Sequence, residues 1–260
     1  MDFTATQLQT MVASFFWPLI RISALFITLP IFSISAVPAR VRMILSMAIT
    51  VVVMPLIPPI PALEMFSYTG LMVTIQQLFI GLVSGFVLQM VFAAVALGGQ
   101  GVSNGMGLGF AAMVDPQDGQ QSPVVAQLYT ISCTLVFLSM NAHLLLIEML
   151  VDSFTSLPIS ADGLGKTAIW SIISWSEQLL SAGLLLSLPV MASLLFVNIS
   201  FGVAARAAPQ LQVFSIGFPI TILLGLLLIW MTLPNALAFF SEDMLLDAYD
   251  LIGQLLNVKR

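Results

Sequence analysis

The chain has 260 residues, of which 59% are hydrophobic and 7% charged, with a net charge of −5 and a mean hydropathy of +1.07. Soluble domains carry about 25% charged residues, so this composition excludes a water-covered globule and points to an integral membrane protein, or a subunit buried in a membrane-linked assembly. The absence of any basic tract argues against nucleic acid as a partner, and the single cysteine, Cys133, excludes a disulfide within the chain.

The opening residues, MDFTATQLQT, are polar and acidic, and they do not read as a cleaved signal peptide. Six hydrophobic helices are predicted, at roughly 9–35, 41–60, 70–97, 124–151, 169–200 and 213–240. Such long, evenly apolar runs are helices rather than barrel strands. The first contains Pro18 and Arg21 and runs past Pro30; Arg40 and Arg42 follow it. Pro55 lies near the end of the second, and Gly81 and Gly85 form a GxxxG in the third. That pair serves either ordinary close helix packing or a subunit interface, and sequence does not separate the two. The fourth helix carries Cys133 and His143 and ends in the polar pair Glu148 and Asp152. Trp170, Trp175 and Glu177 mark an interfacial belt at the fifth. Pro189, Pro219 and Pro234 lie in the last two, and each removes a backbone donor and tends to kink or end its helix. The positive-inside rule places Arg40, Arg42 and Arg206 in the cytoplasm and both termini on the other side.

Between the third and fourth helices lies a stretch unlike the rest, Gly98 to Pro123, which reads as a flexible polar loop. It has six glycines between Gly98 and Gly109, then the polar patch Asp115-Pro116-Gln117-Asp118-Gly119-Gln120-Gln121-Ser122-Pro123. If the glycine-rich part were helical, Gly101, Gly105 and Gly109 would form a small-residue stripe. Met106 and Met113 stand within it as soft, deformable side chains suited to a seal.

Catalytic signatures are missing. There is no GxxxxGK[ST], no HExxH and no paired Cys/His ligand spacing, so neither metal nor cofactor is expected and the chain does not read as an enzyme. Gly105-Met106-Gly107-Leu108-Gly109 lacks the spacing and the strand–helix context of a dinucleotide loop. His143 reads as a satisfied core histidine. Arg21 has two readings: it pairs with an acid in a partner helix and fixes assembly, or it snorkels from a helix that begins later. The broken helices also admit a small-solute secondary transporter. Against that stand the scarcity of intramembrane ionisable residues and the lack of an internal repeat. A third possibility is an assembly factor with no place in a pore.

Several strings together resemble the FliR family of flagellar type III secretion export-gate subunits. They are PLIRISALFITLPIF and Val37-Pro38-Ala39-Arg40-Val41-Arg42, the run Gly105 to Ala111 with Asp115 to Pro123, Leu188-Pro189, Val197-Asn198-Ile199, and Gly202 to Pro219 with its AARAAPQ core. Virulence-type secretion systems contain similar subunits, and the DPQ–GQQSP and AARAAPQ forms favour the flagellar branch. The resemblance implies an all-α membrane protein of about six Pro-kinked helices in hairpins, packed in a hetero-oligomeric helical assembly. It divides the chain into a FliP-like region, 1–170, holding loop 98–123, and a FliQ-like hairpin with a C-terminal tail, 171–260. It implies FliP-like, FliQ-like and FlhB-like partners, unfolded flagellar proteins as cargo, and a place in the bacterial inner membrane at the flagellar basal body. It further implies that the central loop plugs the closed channel. Gly105, Met106, Gly107, Gly109, Phe110 and Met113 are then the seal, and Asp115, Pro116, Gln120, Gln121 and Pro123 its solvated collar. Arg21, Arg206, Pro209 and Gln210 are the candidate assembly residues.

Overall fold

A computed structural model of the chain describes residues 5–33, 37–59, 67–109, 123–160, 163–207 and 213–258, and all regular structure among them is helical. In chain order the helices are α1 (Ala5–Thr28), the single turn α2 (Pro30–Ser33) and α3 (Ala39–Val53), which runs into a 3-10 turn, Met54–Leu56. Then come α4 (Tyr68–Gly105), α5 (Val124–Ser139), α6 (Ala142–Ser156), α7 (Lys166–Ala207) and α8 (Val213–Phe239). A π turn, Phe240–Met244, leads into α9 (Leu245–Leu256). Among the described residues, five helices are long and apolar enough to cross a membrane, or six if α5 and α6 count as one broken span. The protein is thus an all-α membrane protein.

Four features differ from the sequence expectation. First, α4 does not stop at residue 97 but continues to Gly105, so the first part of the supposed loop is helix. Second, the helix expected at 124–151 breaks at Met140–Asn141, where Asn141 adopts a left-handed φ of 55°. Third, the tail after 240 is helical up to Leu256. Fourth, Pro30 and Pro55 sit at helix boundaries, but Pro18, Pro189, Pro219 and Pro234 lie inside continuous helices. At 1.5 Å per residue, the 38 residues of α4 and the 42 of α7 run about 57 and 63 Å. Both exceed a hydrocarbon core of about 30 Å, so neither is a simple span.

The chain forms two compact units. The first comprises Met1–Met90, Asn141–Trp175 and Asp247–Arg260; the second comprises Val91–Met140 and Ser176–Leu246. In the first, α1 packs against α3, and α4 lies close along α1. The GxxxG of α4 explains that approach. A Cβ on Gly81 would strike the carbonyl oxygen of Arg21, and one on Gly85 would strike the Thr28 hydroxyl. These glycines therefore serve packing within the chain. Helix α9 is seated on α6, where the Tyr249 hydroxyl donates to the Ala142 carbonyl at 2.7 Å and the Ser156 hydroxyl to the Leu256 carbonyl at 2.5 Å. An Asn257 at φ 52° ends α9, with Val258 N–H donating five residues back to Gly253 O. In the second unit, the buried Phe92 meets Phe137 and Phe240 edge-on, with centroids 5.7 and 5.5 Å apart. Such pairs add about 0.5–1.5 kcal/mol beyond the area they bury. Cys133 is buried in the same unit.

Candidate functional site

The glycine-rich end of α4 is built by contact, not by flexibility. A Cβ on Gly98 would lie 2.8 Å from the Gly183 carbonyl oxygen, and one on Gly99 would lie 2.6 Å from Ala126 Cα. One on Gly101 would meet Met191 Sδ at 2.9 Å, and one on Gly105 would meet Leu194 at 3.4 Å. From the other side, a Cβ on Gly183 would approach the Ala94 carbonyl oxygen to 2.6 Å. The glycines let α4 sit almost backbone to backbone with α5 and α7. Each glycine within a helix costs about 1 kcal/mol against alanine, and tertiary packing overrides that cost here.

The helix then stops at a defined point. Gly107 has φ +81°, its N–H donates to Asn104 O at 3.0 Å, and the Leu108 N–H donates to Ser103 O at 3.1 Å. These two bonds with a left-handed glycine form a Schellman stop. It satisfies carbonyls that the helix end would otherwise leave bare in an apolar setting.

Just before the stop, Met106 is fully buried. Its side chain fills the space left by Gly225 of α8, where a Cβ would come within 2.6 Å of Met106 Cγ. The backbone here is held lightly. Thr221 Oγ1 donates to the Met106 carbonyl at 3.4 Å, and Asn198 Nδ2 donates to the Gly105 carbonyl at 3.3 Å. Beside these residues opens a cavity of about 580 Å³, walled by Asn104, Met106, Asn198, Phe201, Phe218 and Thr221. Among the described residues it offers apolar walls, a few amide and hydroxyl groups and no ionisable side chain.

A second polar site lies in the first unit. Arg21 is fully buried. Its Nε donates to Gln77 Oε1 at 2.7 Å, and one terminal nitrogen donates to Ser153 O at 3.1 Å and Ser153 Oγ at 3.0 Å. The other donates to Leu157 O at 3.0 Å, and the guanidinium lies 4.3 Å from the Phe154 ring centre. The Arg21 fork thereby joins α1 to α4 and caps the carboxyl end of α6, where a cation complements the helix dipole. Among the described residues, no three His, Cys, Asp or Glu side chains lie close enough together to hold a metal ion.

Against this geometry, the profile of bacterial export proteins, family 1, matches residues 12–246. The chain belongs to that family. It is 37% identical over 254 residues to the flagellar biosynthetic protein FliR of Escherichia coli (strain K12), covering 98% of this chain and 97% of the relative. It is 36% identical to the protein of that name from Pectobacterium carotovorum subsp. carotovorum, covering 99% and 98%. The Bacillus subtilis (strain 168) protein of the same name is 33% identical, covering 81% of this chain and 82% of its own.

Of the candidate seal and collar residues, Gly105, Met106, Gly107, Gly109 and Pro123 are placed. The first three are gathered at the end of α4; Gly109 follows them, and Pro123 caps the start of α5. Phe110, Met113, Asp115, Pro116, Gln120 and Gln121 lie outside the described residues, as do Pro209 and Gln210. Arg206 is exposed in the last turn of α7. Arg21 is bonded by neutral groups of its own chain; the expected acid is replaced by an amide, a hydroxyl and carbonyls, and the guanidinium does not snorkel. Of the interfacial pair, Trp170 is exposed and Trp175 is buried. Sequence reasoning did not single out Phe201, Phe218, Thr221 or Gly225 for the site. A lone glycine in the apolar run of α8 is the signal for Gly225, because such a residue has a packing reason.

Proposed function

We propose that the chain is a subunit of the flagellar type III protein export gate, forming and closing the conduit for unfolded flagellar proteins across the bacterial inner membrane at the basal body. The observation that carries this reading is the family match over residues 12–246, with relatives named for flagellar biosynthesis along nearly the whole chain. The partners are FliP-like and FliQ-like subunits and an FlhB-like switch, with residues 1–170 as a FliP-like region and 171–260 as a FliQ-like hairpin with a tail. The role is structural, not enzymatic.

Within that reading, the end of α4 is the seal. The support for it is a closely packed, glycine-lined helix that ends at a left-handed glycine, with a buried methionine and weakly bonded carbonyls beside an apolar cavity. A gate has to stay closed yet yield to its cargo, so its two states differ by only a few kcal/mol. Bonds of 3.3–3.4 Å suit such a contact better than short ones. The segment from Asp115 to Pro123 forms the solvated collar, and Arg206, Pro209 and Gln210 take part in assembly.

The test deletes Gly105 to Met113 in the full chain and measures ion leak across the host membrane together with secretion of flagellar subunits. Raised leak with a normal yield of complex is the expected result. Unchanged leak in an assembled complex rules out the seal. Purification of the tagged chain with and without the FliP-like and FliQ-like partners separates the wider reading: a monomer that ignores both and moves a small solute overturns it.

A further inference from the structure

The apolar ladder between α4 and α7 ends on a polar rung. Met191, Leu194 and Asn198 follow one another at steps of three and four and share one face of α7. The first two meet the bare positions of Gly101 and Gly105. Asn198 lies one turn further on, where α4 stops, and its Nδ2 reaches the Gly105 carbonyl at 3.3 Å. A leucine there would continue the apolar ladder. A carboxamide instead brings a donor to the place where carbonyls run out of partners.

Each carbonyl at this helix end can be followed to its donor. A helix leaves its last four carbonyls without N–H partners of its own. Ser103 O and Asn104 O are taken by the Leu108 and Gly107 N–H groups of the stop. Gly105 O and Met106 O remain, and both are reached by side chains of other helices, Asn198 of α7 and Thr221 of α8. A hydroxyl has one proton to give. That of Thr221 lies closer to Phe218 O of its own helix, at 2.9 Å, than to Met106 O, at 3.4 Å. The cap therefore falls mainly to Asn198. A second support comes from Phe218, whose ring carbons Cδ2 and Cε2 lie 3.4 Å from where a Cβ of Gly107 would stand. The ring closes the open side of the left-handed glycine.

We propose that Asn198 and Phe218 are positioning residues for the end of α4. Asn198 holds the Gly105 carbonyl and Phe218 backs the Gly107 turn, and together they fix where the helix stops and where Met106 sits. The string Val197-Asn198-Ile199 thereby gains a role that its apolar neighbours do not explain. The cap stands on this geometry, and its consequence for ion leak rests on the seal reading.

Hydrogen exchange of the full chain in detergent tests the cap through the Gly107 and Leu108 amides, the donors of the stop. Asn198→Leu removes the donor and keeps the bulk, and Phe218→Ala removes the ring. Both positions are exposed, so the core is spared and the melting temperature stays close to that of the parent. Exchange at these two amides rises about three- to tenfold in each variant, as the net worth of about one hydrogen bond requires. Asn198→Gln keeps the carboxamide and Phe218→Tyr keeps the ring, and both return exchange toward the parent rate. Unchanged exchange in either Asn198→Leu or Phe218→Ala overturns the proposal. So does a rise spread evenly over α5 and α8, the mark of general loosening. Ion leak through the assembled complex separates the cap from the seal: leak rises together with exchange where the seal reading holds, whereas raised exchange with unchanged leak keeps the cap and rejects the seal.

Discussion

Helix α4 carries two sites of opposite character. Near its start, in the first unit, Gln77 holds the buried Arg21 with a 2.7 Å hydrogen bond, and the other guanidinium bonds are 3.0–3.1 Å. Near its end, in the second unit, Met106 and Gly105 are held by contacts of 3.3–3.4 Å beside a cavity of about 580 Å³. One end is a polar knot with every guanidinium nitrogen used. The other is an apolar fit with room beside it. On the proposed gate reading, a single continuous helix provides a firm anchor and a yielding terminus, and the difference lies in what surrounds it. Under that proposal a conduit subunit needs both: parts that keep the assembly intact, and a part that moves at low cost.

The firm end is where substitution costs most. Arg21→Ala strands Gln77 Oε1 and the Leu157 carbonyl without their donor and leaves a cavity in a packed core. A buried acceptor left bare costs about 1–3 kcal/mol, so a total loss of about 3 kcal/mol or more is expected. Thermal unfolding of the purified full chain in detergent reads it, and complex yield falls before the conductance of any formed channel changes. Arg21→Lys keeps the charge and loses the fork, and it should land between the two. Normal yield of Arg21→Ala with lost export contradicts the anchor role.

The glycine seam comes next. Gly99→Val drives a side chain into Ala126, where the obstacle is backbone at 2.6 Å and cannot swing away. Overpacking of this kind costs about 1–3 kcal/mol. The same change at Gly202, which has open space around its position, is the control and should leave the melting temperature unmoved. Equal effects at the two sites would mean that helix propensity, not contact, sets the cost.

Gly107→Ala ranks below these. There is room for the methyl, since the nearest atoms are Phe218 carbons at 3.4 Å, but φ is +81°. The left-handed conformation costs a non-glycine residue about 1–2 kcal/mol. The expected result is a modest loss of stability with a larger change in ion leak, because the stop that positions Met106 is what shifts. A leak unchanged while stability falls would separate the Schellman stop from the seal.

Much of this was legible in the sequence and some was not, for identifiable reasons. The apolar runs were plain, because charge is so scarce that each long uncharged stretch stands out. The helix through Gly98 to Gly105 was hidden. Glycine lowers local helix propensity, and the partners that overrule it, Gly183, Ala126 and Met191, are distant in sequence. The break at Asn141 carries no proline or glycine; asparagine in a left-handed conformation does the work. Helix α9 falls in what the sequence reads as a C-terminal tail, where Asp247 and Asp250 interrupt the apolar pattern. Its buried face, Leu245, Ala248, Tyr249, Ile252 and Leu256, has helical spacing that the acids obscured. Arg21 was visible as an anomaly, but its partners are backbone carbonyls, an amide and a serine, and backbone acceptors leave no mark in a sequence.

The smallest expected effect falls on the yielding end and bears most directly on the contrast. Thr221→Val keeps the shape and removes the hydroxyl that spans Phe218 O at 2.9 Å and Met106 O at 3.4 Å. The bond to Phe218 lies within α8, whose own backbone can compensate. The bond to Met106 is long enough to contribute little, so the loss should be about 0.5–1 kcal/mol, within the usual net worth of one hydrogen bond. Melting of the full chain then barely moves. If Met106 is held closed mainly by its fit against Gly225, leak across the membrane also stays low, and Gly225→Ala, which intrudes on that fit at 2.6 Å, raises it. If Thr221→Val alone raises leak as much as Gly225→Ala does, the polar contact is the latch and the apolar fit only its seat. In that event the end of α4 differs from the Arg21 knot in strength alone, and the contrast between a polar anchor and an apolar seal fails.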